Sequence, residues 1–226
     1  VVRTRPSVPS AISRPDGRRE RWRAHREARR QELIERTEAV VAERGAGVAV
    51  EDIAAASGVP RAVFYRYFSG KADLVAAVGR SVAQRVVTET TEAIDRAAEP
   101  KAMLAAGIDA YLAAIEASPE LYWFVVAHRP AGPGTGDDLV EDYATVVGRH
   151  AARLIGDLRR AAGLDAGGAE LWGFGVVGLV RAAADRWLID GSMSREAVAR
   201  YLTDLVWPGL SGAPVTSVRP GGRPEA

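Results

Sequence analysis

Residues 48–74, VAVEDIAAASGVPRAVFYRYFSGKADL, decide the fold. A helix-turn-helix makes three demands on such a stretch. The first helix must cross close to the second, so a small residue is needed there, and Ala54 supplies it. The tight turn needs a residue that accepts positive φ, and Gly58 does so without a steric penalty. Apolar side chains must fill the space between the helices, and Ile53, Val59 and Phe64 are spaced to do this. The Ala–x3–Gly–x5–Phe spacing leaves Arg61, Ala62, Tyr65 and Arg66 on the opposite face of the second helix. That face is short, basic and aromatic, as a helix laid in a major groove is. The pattern alone also suits an αα-hairpin inside an ordinary helical core.

Working outward, the periodicity is helical almost throughout and no segment alternates convincingly with period two. The expected class is all-α with about nine helices. Punctuation places them at 18–44, 50–57, 60–68, 71–96, 101–117, 119–128, 137–162, 169–189 and 194–207. Pro60 and Pro119 suit first-turn positions, Ser118 an N-cap, and Pro208 a stop. Residues 1–17 and 209–226 are rich in Pro and Gly and read as disordered tails. The expected organisation is an N-terminal three-helix unit over 18–80, then a larger helical unit over 81–208.

The chain has 226 residues and a net charge of +1, which hides an asymmetry. Residues 1–30 carry ten arginines against Asp16, Glu20 and Glu27, so this end is +7 and the remainder −6. A cationic arm on an acidic body suggests an anionic partner. The stretch 18–30, RRERWRAHREARR, reads either as a solvated helix face or as an arm entering a minor groove. The absence of cysteine excludes disulfides, thiolate metal sites and cysteine nucleophiles, and three histidines make a histidine-rich metal site a poor prospect. No metal and no cofactor is expected. The longest apolar run, 171–180, is too short for a membrane span, no secretory signal is visible, and the expected compartment is the cytoplasm.

The run from Val59 through Lys71 to Leu74 resembles the signature of the tetracycline-repressor (TetR) family. The family's usual pattern there is Val-Ser-x-Gly-Thr-Leu-Tyr-x-His/Tyr-Phe-x-Ser/Asn-Lys-x-x-Leu. Asp52-Ile53-Ala54 and the long first helix also match. The chain departs where Pro60 stands for Ser, where Ala62-Val63 stand for Gly-Thr, and where Val48-Ala49-Val50 lack the usual Ser or Thr. The resemblance implies a homodimeric, ligand-responsive transcriptional regulator, most simply a repressor, on a pseudo-palindromic duplex DNA operator. It implies phosphate contacts for Tyr65, Tyr67 and Lys71, base-edge contacts for Arg61, Ala62 and Val63, and either role for Arg66.

The resemblance also implies a C-terminal pocket for a small, mostly apolar effector. Candidate lining is Met103, Tyr111, Tyr122, Trp123, Phe124, His128, Tyr143, His150 and Trp172, though aromatics at helical spacing also make ordinary core. The apolar helix over 169–189 spends helix propensity on Gly173, Gly175 and Gly178, about 1 kcal/mol each against alanine. Gly175, Gly178 and Ala182 form a flat stripe, and the resemblance implies that it pairs with its copy, together with Leu179, Val198, Tyr201 and Leu205, in a four-helix dimer interface; a buried core helix within one chain is the alternative. Residues 173–178 also match G-x-G-x-x-G, but a dinucleotide fingerprint needs a preceding strand and an opening helix, and neither is legible. A dinucleotide-dependent enzyme and a dimeric interaction protein with a decayed DNA surface are the rival readings. No G-x-S-x-G elbow, P-loop or H-E-x-x-H occurs, and no catalytic residue is expected.

Overall fold

The computed structural model describes residues 17–127 and 143–211. The described residues form nine helices and no strand: α1 (Gly17–Arg44), α2 (Val50–Ala56), α3 (Arg61–Phe64), α4 (Lys71–Asp95), α5 (Pro100–Ala117), α6 (Pro119–Ala127), α7 (Tyr143–Ala161), α8 (Ala169–Asp190) and α9 (Arg195–Leu210). Of the expected tails 1–17 and 209–226, residues 1–16 and 212–226 lie outside the described residues, as does the stretch 128–142 with His128; Gly17 belongs to α1, and Gly209 and Leu210 to α9.

The N-terminal unit is built on the side chains that the spacing singles out. Ile53, Ala54, Val59 and Phe64 are buried, together with Leu33 and Val41 of α1 and Leu74 and Val78 of α4. Gly58 sits at φ +65°, and a Cβ at this position would meet only open space, so backbone conformation alone demands glycine there. Buried Thr37 and Ser57 turn their hydroxyls onto the Leu33 and Ile53 carbonyls at 2.7 Å, so neither is left unsatisfied.

α3 is shorter than the nine residues that the sequence suggests. After Phe64 the chain tightens into i→i+3 bonds, from the Arg66 amide to the Val63 carbonyl and from the Tyr67 amide to the Phe64 carbonyl. The Arg66 and Tyr67 carbonyls accept instead from α1, through Arg26 at 3.2 Å and Arg30 at 3.4 Å. Arg30 also pairs with Asp73 at 3.1 Å and lies over the Phe68 ring. α1 thus ties down the far end of the second helix by its carbonyls.

The C-terminal unit packs α5 against α4 and α9, and α7 against α8 and α4. α6 connects the two units, since it touches α1, α4 and α5. Arg195, just inside the Ser194-capped start of α9, holds α5 through Asp109 at 2.9 Å and Glu116 at 3.0 Å. Pro208 does not stop α9; the helix runs on to Leu210. Its φ is already helical, and carbonyls on either side of it find partners: the Ser211 amide donates to Trp207 and the Arg159 guanidinium to Leu210.

Candidate nucleic-acid interface and effector cavity

α3 and the start of α4 present one exposed surface. Arg61, Ala62, Tyr65, Arg66 and Lys71 are exposed, Val63 and Tyr67 are half-buried, and Phe64 and Phe68 are buried beneath them. Val63 and Tyr67 pack against the core, so each offers only part of its side chain to a groove. Arg61 is not free: it pairs with Glu51 of α2 at 2.9 Å and its guanidinium lies 5.5 Å from the Tyr65 ring centroid. Both partners are largely solvent-exposed, so the pair contributes at most about 1 kcal/mol and opens readily for a stronger anion. Spacing gave no sign of Glu51, because it sits on a different helix. Lys71 opens α4, where backbone amides point outward and favour an anion.

The arginine-rich half of α1 approaches the same surface. Arg26 and Arg30 are spent on the carbonyls beside α3, Arg29 pairs with Glu32, and Arg23 and Trp22 are exposed, Trp22 by 64%. The arm is therefore part tether and part open basic surface.

A cavity of about 300 Å³ lies between α4, α5, α7, α8 and α9. Most of its wall is aliphatic, with Leu104, Leu154, Ile155, Val176 and Val177 among the lining residues. Of the expected lining, Met103, Tyr111 and His150 face it. Tyr122, Trp123, Phe124 and Trp172 do not. Phe124 is fully buried in the core and Trp123 stacks edge-on to Tyr122. Tyr122 donates its hydroxyl to Asp185 of α8, and burial, then Tyr111 and Asp185, hold the phenol far above its ordinary value. Trp172 lies against Arg159, whose guanidinium is 4.4 Å from the ring centroid. His128 and the Tyr143 side chain lie outside the described residues.

His150 lies 2.8 Å from the Thr91 hydroxyl, which itself donates to the Val87 carbonyl at 2.7 Å. With that proton committed, Nε2 carries the ring proton and donates to Thr91. Burial, reinforced by the Arg153 charge, pulls the His150 pKa below its usual value and keeps the ring neutral at pH 7.

The glycines of α8 divide into two kinds. A Cβ on Gly173 would lie 2.4 Å from the Ala152 amide nitrogen and 2.5 Å from its Cα, so close contact with α7 forbids a side chain. Gly175 and Gly178 face open space and are exposed. They share that surface with Leu171, 80% exposed, and with Phe174, Leu179, Ala182 and Ile189. On α9, Tyr201 and Leu205 are 58% and 64% exposed, whereas Val198 is buried within the chain. The G-x-G-x-x-G match falls inside α8, with no strand before it among the described residues, so the geometry of a dinucleotide fingerprint is lacking. Among the described residues no group of His, Asp or Glu could hold a metal ion, and no helix is long and apolar enough to cross a membrane.

Comparison with known proteins places this arrangement. Residues 33–78 match the family model described as bacterial regulatory proteins of the tetR family, and residues 89–221 match the tetracyclin repressor-like C-terminal domain. The chain belongs to the TetR family. This TetR regulator is 32% identical over 206 residues to an uncharacterized HTH-type transcriptional regulator, Rv0472c, of Mycobacterium tuberculosis, covering 91% of this chain and 87% of that one. It is 26% identical to the HTH-type transcriptional activator FasR of Mycolicibacterium smegmatis, covering 88% and 91%. Among solved structures it shares its fold with a tetR-family transcriptional regulator of Streptomyces coelicolor at TM-score 0.60 and 20% identity, covering 82% of this chain and 81% of that one. It also resembles the regulator FadR of Bacillus subtilis, solved in complex with stearoyl-CoA, at TM-score 0.61 and 17% identity, covering 78% and 96%. The protein is a DNA-binding transcriptional regulator and not an enzyme.

Proposed function

We propose that this TetR regulator binds a pseudo-palindromic operator as a homodimer and leaves it when a small, mostly apolar effector fills the cavity. The observation that carries the reading is α4. Its first residue, Lys71, lies on the exposed surface beside α3, and Thr90 and Ile94 near its other end line the cavity. Nineteen residues at 1.5 Å rise put these ends about 28 Å apart on one rigid element. A second route runs from α8 through Asp185 and Tyr122 to α6, and from Glu120 of α6 to the Ala46 amide at 2.8 Å. An effector that spreads the cavity wall has two connections to the helix-turn-helix.

In this reading Lys71, Tyr65 and Tyr67 hold phosphates, Arg61 and Ala62 read base edges with Val63 at their margin, and Arg66 and the α1 arm add backbone contacts. A pair of chains sets two α3 helices about one DNA turn, or a multiple of it, apart. The exposed apolar surface of α8 and α9 is what the second copy covers, and Gly175 and Gly178 let the two α8 backbones approach. Repression by an effector-free dimer follows from the family resemblance. The effector must prefer the conformation that fits DNA poorly, and its coupling equals that difference in affinity.

A duplex from the chain's own upstream region, titrated in a gel shift and in sedimentation velocity, tests this. Two chains per duplex are expected, and medium-chain probes such as dodecanol or dodecanoate should weaken binding by about 5- to 150-fold, the usual span of allosteric coupling. A single chain per duplex, or a probe that binds the protein with unchanged DNA affinity, overturns the reading.

A further inference from the structure

The cavity has one charged end, and no described residue of its wall compensates the charge. Its lining runs along α7 from Val147 to Ala162, about 22 Å at helical rise. Among the described residues no aspartate or glutamate lines it, and His150 is neutral at pH 7 for the reason given above. The cationic residue in the wall is Arg159, beside Leu158, Ala162, Leu164, Trp207, Leu210 and Ser211 at the end formed by the C-termini of α7 and α9. Its Nε donates to the Asp165 carbonyl at 2.6 Å, one Nη donates to the Leu210 carbonyl, and the Trp172 ring fixes its plane. Both acceptors are neutral, and no carboxylate reaches ion-pair distance of Arg159 among the described residues. The neighbouring acids are engaged elsewhere: Asp157 pairs with Arg160, the Asp165 carboxylate accepts from Gly167, and Asp204 pairs with Lys101. A guanidinium has five N–H donors, so three remain for a ligand.

We infer that the effector is a single-chain amphiphile, with a hydrocarbon tail along α7 and an anionic headgroup, carboxylate or phosphate, on Arg159. This rests on the effector cavity proposed above and adds the ligand's chemistry to it. A long, aliphatic space takes a chain along its length, and a compact molecule would leave most of the wall without contact. The two carbonyls and Trp172 hold the guanidinium in a fixed orientation, so a bidentate anion meets a fork already in place. The charged interaction forms in a partly buried site, where water screens it less than on the surface.

Calorimetry or tryptophan fluorescence on the full chain tests the assignment, since Trp207 lines the cavity and Trp172 stacks on Arg159. The probes share one tail: dodecanol, dodecanoate and dodecyl phosphate. The wild type is expected to bind at least one anion tenfold or more tighter than the alcohol, and the tighter anion names the headgroup. R159Q should lower that anion to the alcohol's affinity and leave dodecanol unchanged, while R159K should retain part of the preference. Equal binding of the alcohol and both anions by the wild type overturns the headgroup assignment alone, as does a preference that survives in R159Q. Failure of all three probes to bind overturns the cavity reading and this inference with it. If R159Q does not fold, the wild-type comparison decides.

Discussion

Gly173→Ala adds one methyl group where α8 crosses α7, and the same change at Gly175 or Gly178 adds it to open space. The three sites share a helix and a substitution, so helix propensity favours each alanine by about 1 kcal/mol. At 173 the new Cβ falls 2.4 Å from the Ala152 nitrogen, 2.5 Å from its Cα and 2.7 Å from its Cβ. Two of these are backbone atoms, so no rotamer change relieves the overlap and the helices must separate by roughly an ångström. Overpacking of this kind costs about 1–3 kcal/mol. Set against the propensity gain, G173A should destabilise the fold by up to about 2 kcal/mol. G175A and G178A should not destabilise the chain, but they should weaken self-association if that face meets a second α8. Urea unfolding by circular dichroism, at two protein concentrations a hundredfold apart, separates the two effects, because dimer stability depends on concentration and monomer packing does not. Sedimentation velocity reads the association directly. A stabilised G173A, or three variants with the same behaviour in both assays, would refute the reasoning.

Three further outcomes follow from the same geometry. Glu51→Gln releases Arg61 and removes a negative charge beside the DNA surface, so duplex affinity at low salt should rise several-fold; a gel shift showing unchanged or weaker binding contradicts the role given to Arg61. Glu120→Ala cuts the bond from α6 to the Ala46 amide, so it should reduce the effect of a cavity-binding probe on DNA affinity and leave probe affinity itself nearly intact, measured by paired titrations with and without the probe. The His150 pKa is lower folded than unfolded, so the unfolded chain binds the proton more readily. The neutral ring carries no penalty above about pH 6.5, and stability is lost as pH falls from there through the folded value. Thermal melts should show that loss, and His150→Gln should flatten it; a variant with the wild-type pH profile removes His150 from the account.

The helix-turn-helix was legible because small numbers of residues with one job each mark it. Gly58 takes positive φ, Ala54 allows the crossing, and Ile53, Val59 and Phe64 have no other way to be buried. Helix starts at Pro119 and Ser194 were legible for the same local reason, and α5 opens at Pro100, one residue before the expected 101. The end of α9 was not: Pro208 removes one backbone donor, yet its fixed φ suits the helix, which runs on to Leu210, whose carbonyl accepts from Arg159 of another helix. The short α3 depends likewise on Arg26 and Arg30 of α1. The cavity was the least legible feature. Aromatic residues drew attention, yet Phe124 serves the core and Tyr122 bonds Asp185, while the wall is made of leucine, isoleucine and valine that any core contains. Arg159 differs from its neighbour Arg160 only in where α7 turns it. Nothing local marks one to line a cavity and the other to pair with Asp157.

The central claim is that α3 and Lys71 form a DNA-reading surface presented twice, and selection of bound sequences from a random duplex pool tests it most directly. The wild type should enrich a site with two inverted halves spaced by one helical turn or a multiple of it. Arg61→Ala should enrich a different half-site, and Lys71→Ala the same half-site at lower affinity for every sequence. Enrichment of no common site, or of one without inverted symmetry, would contradict it.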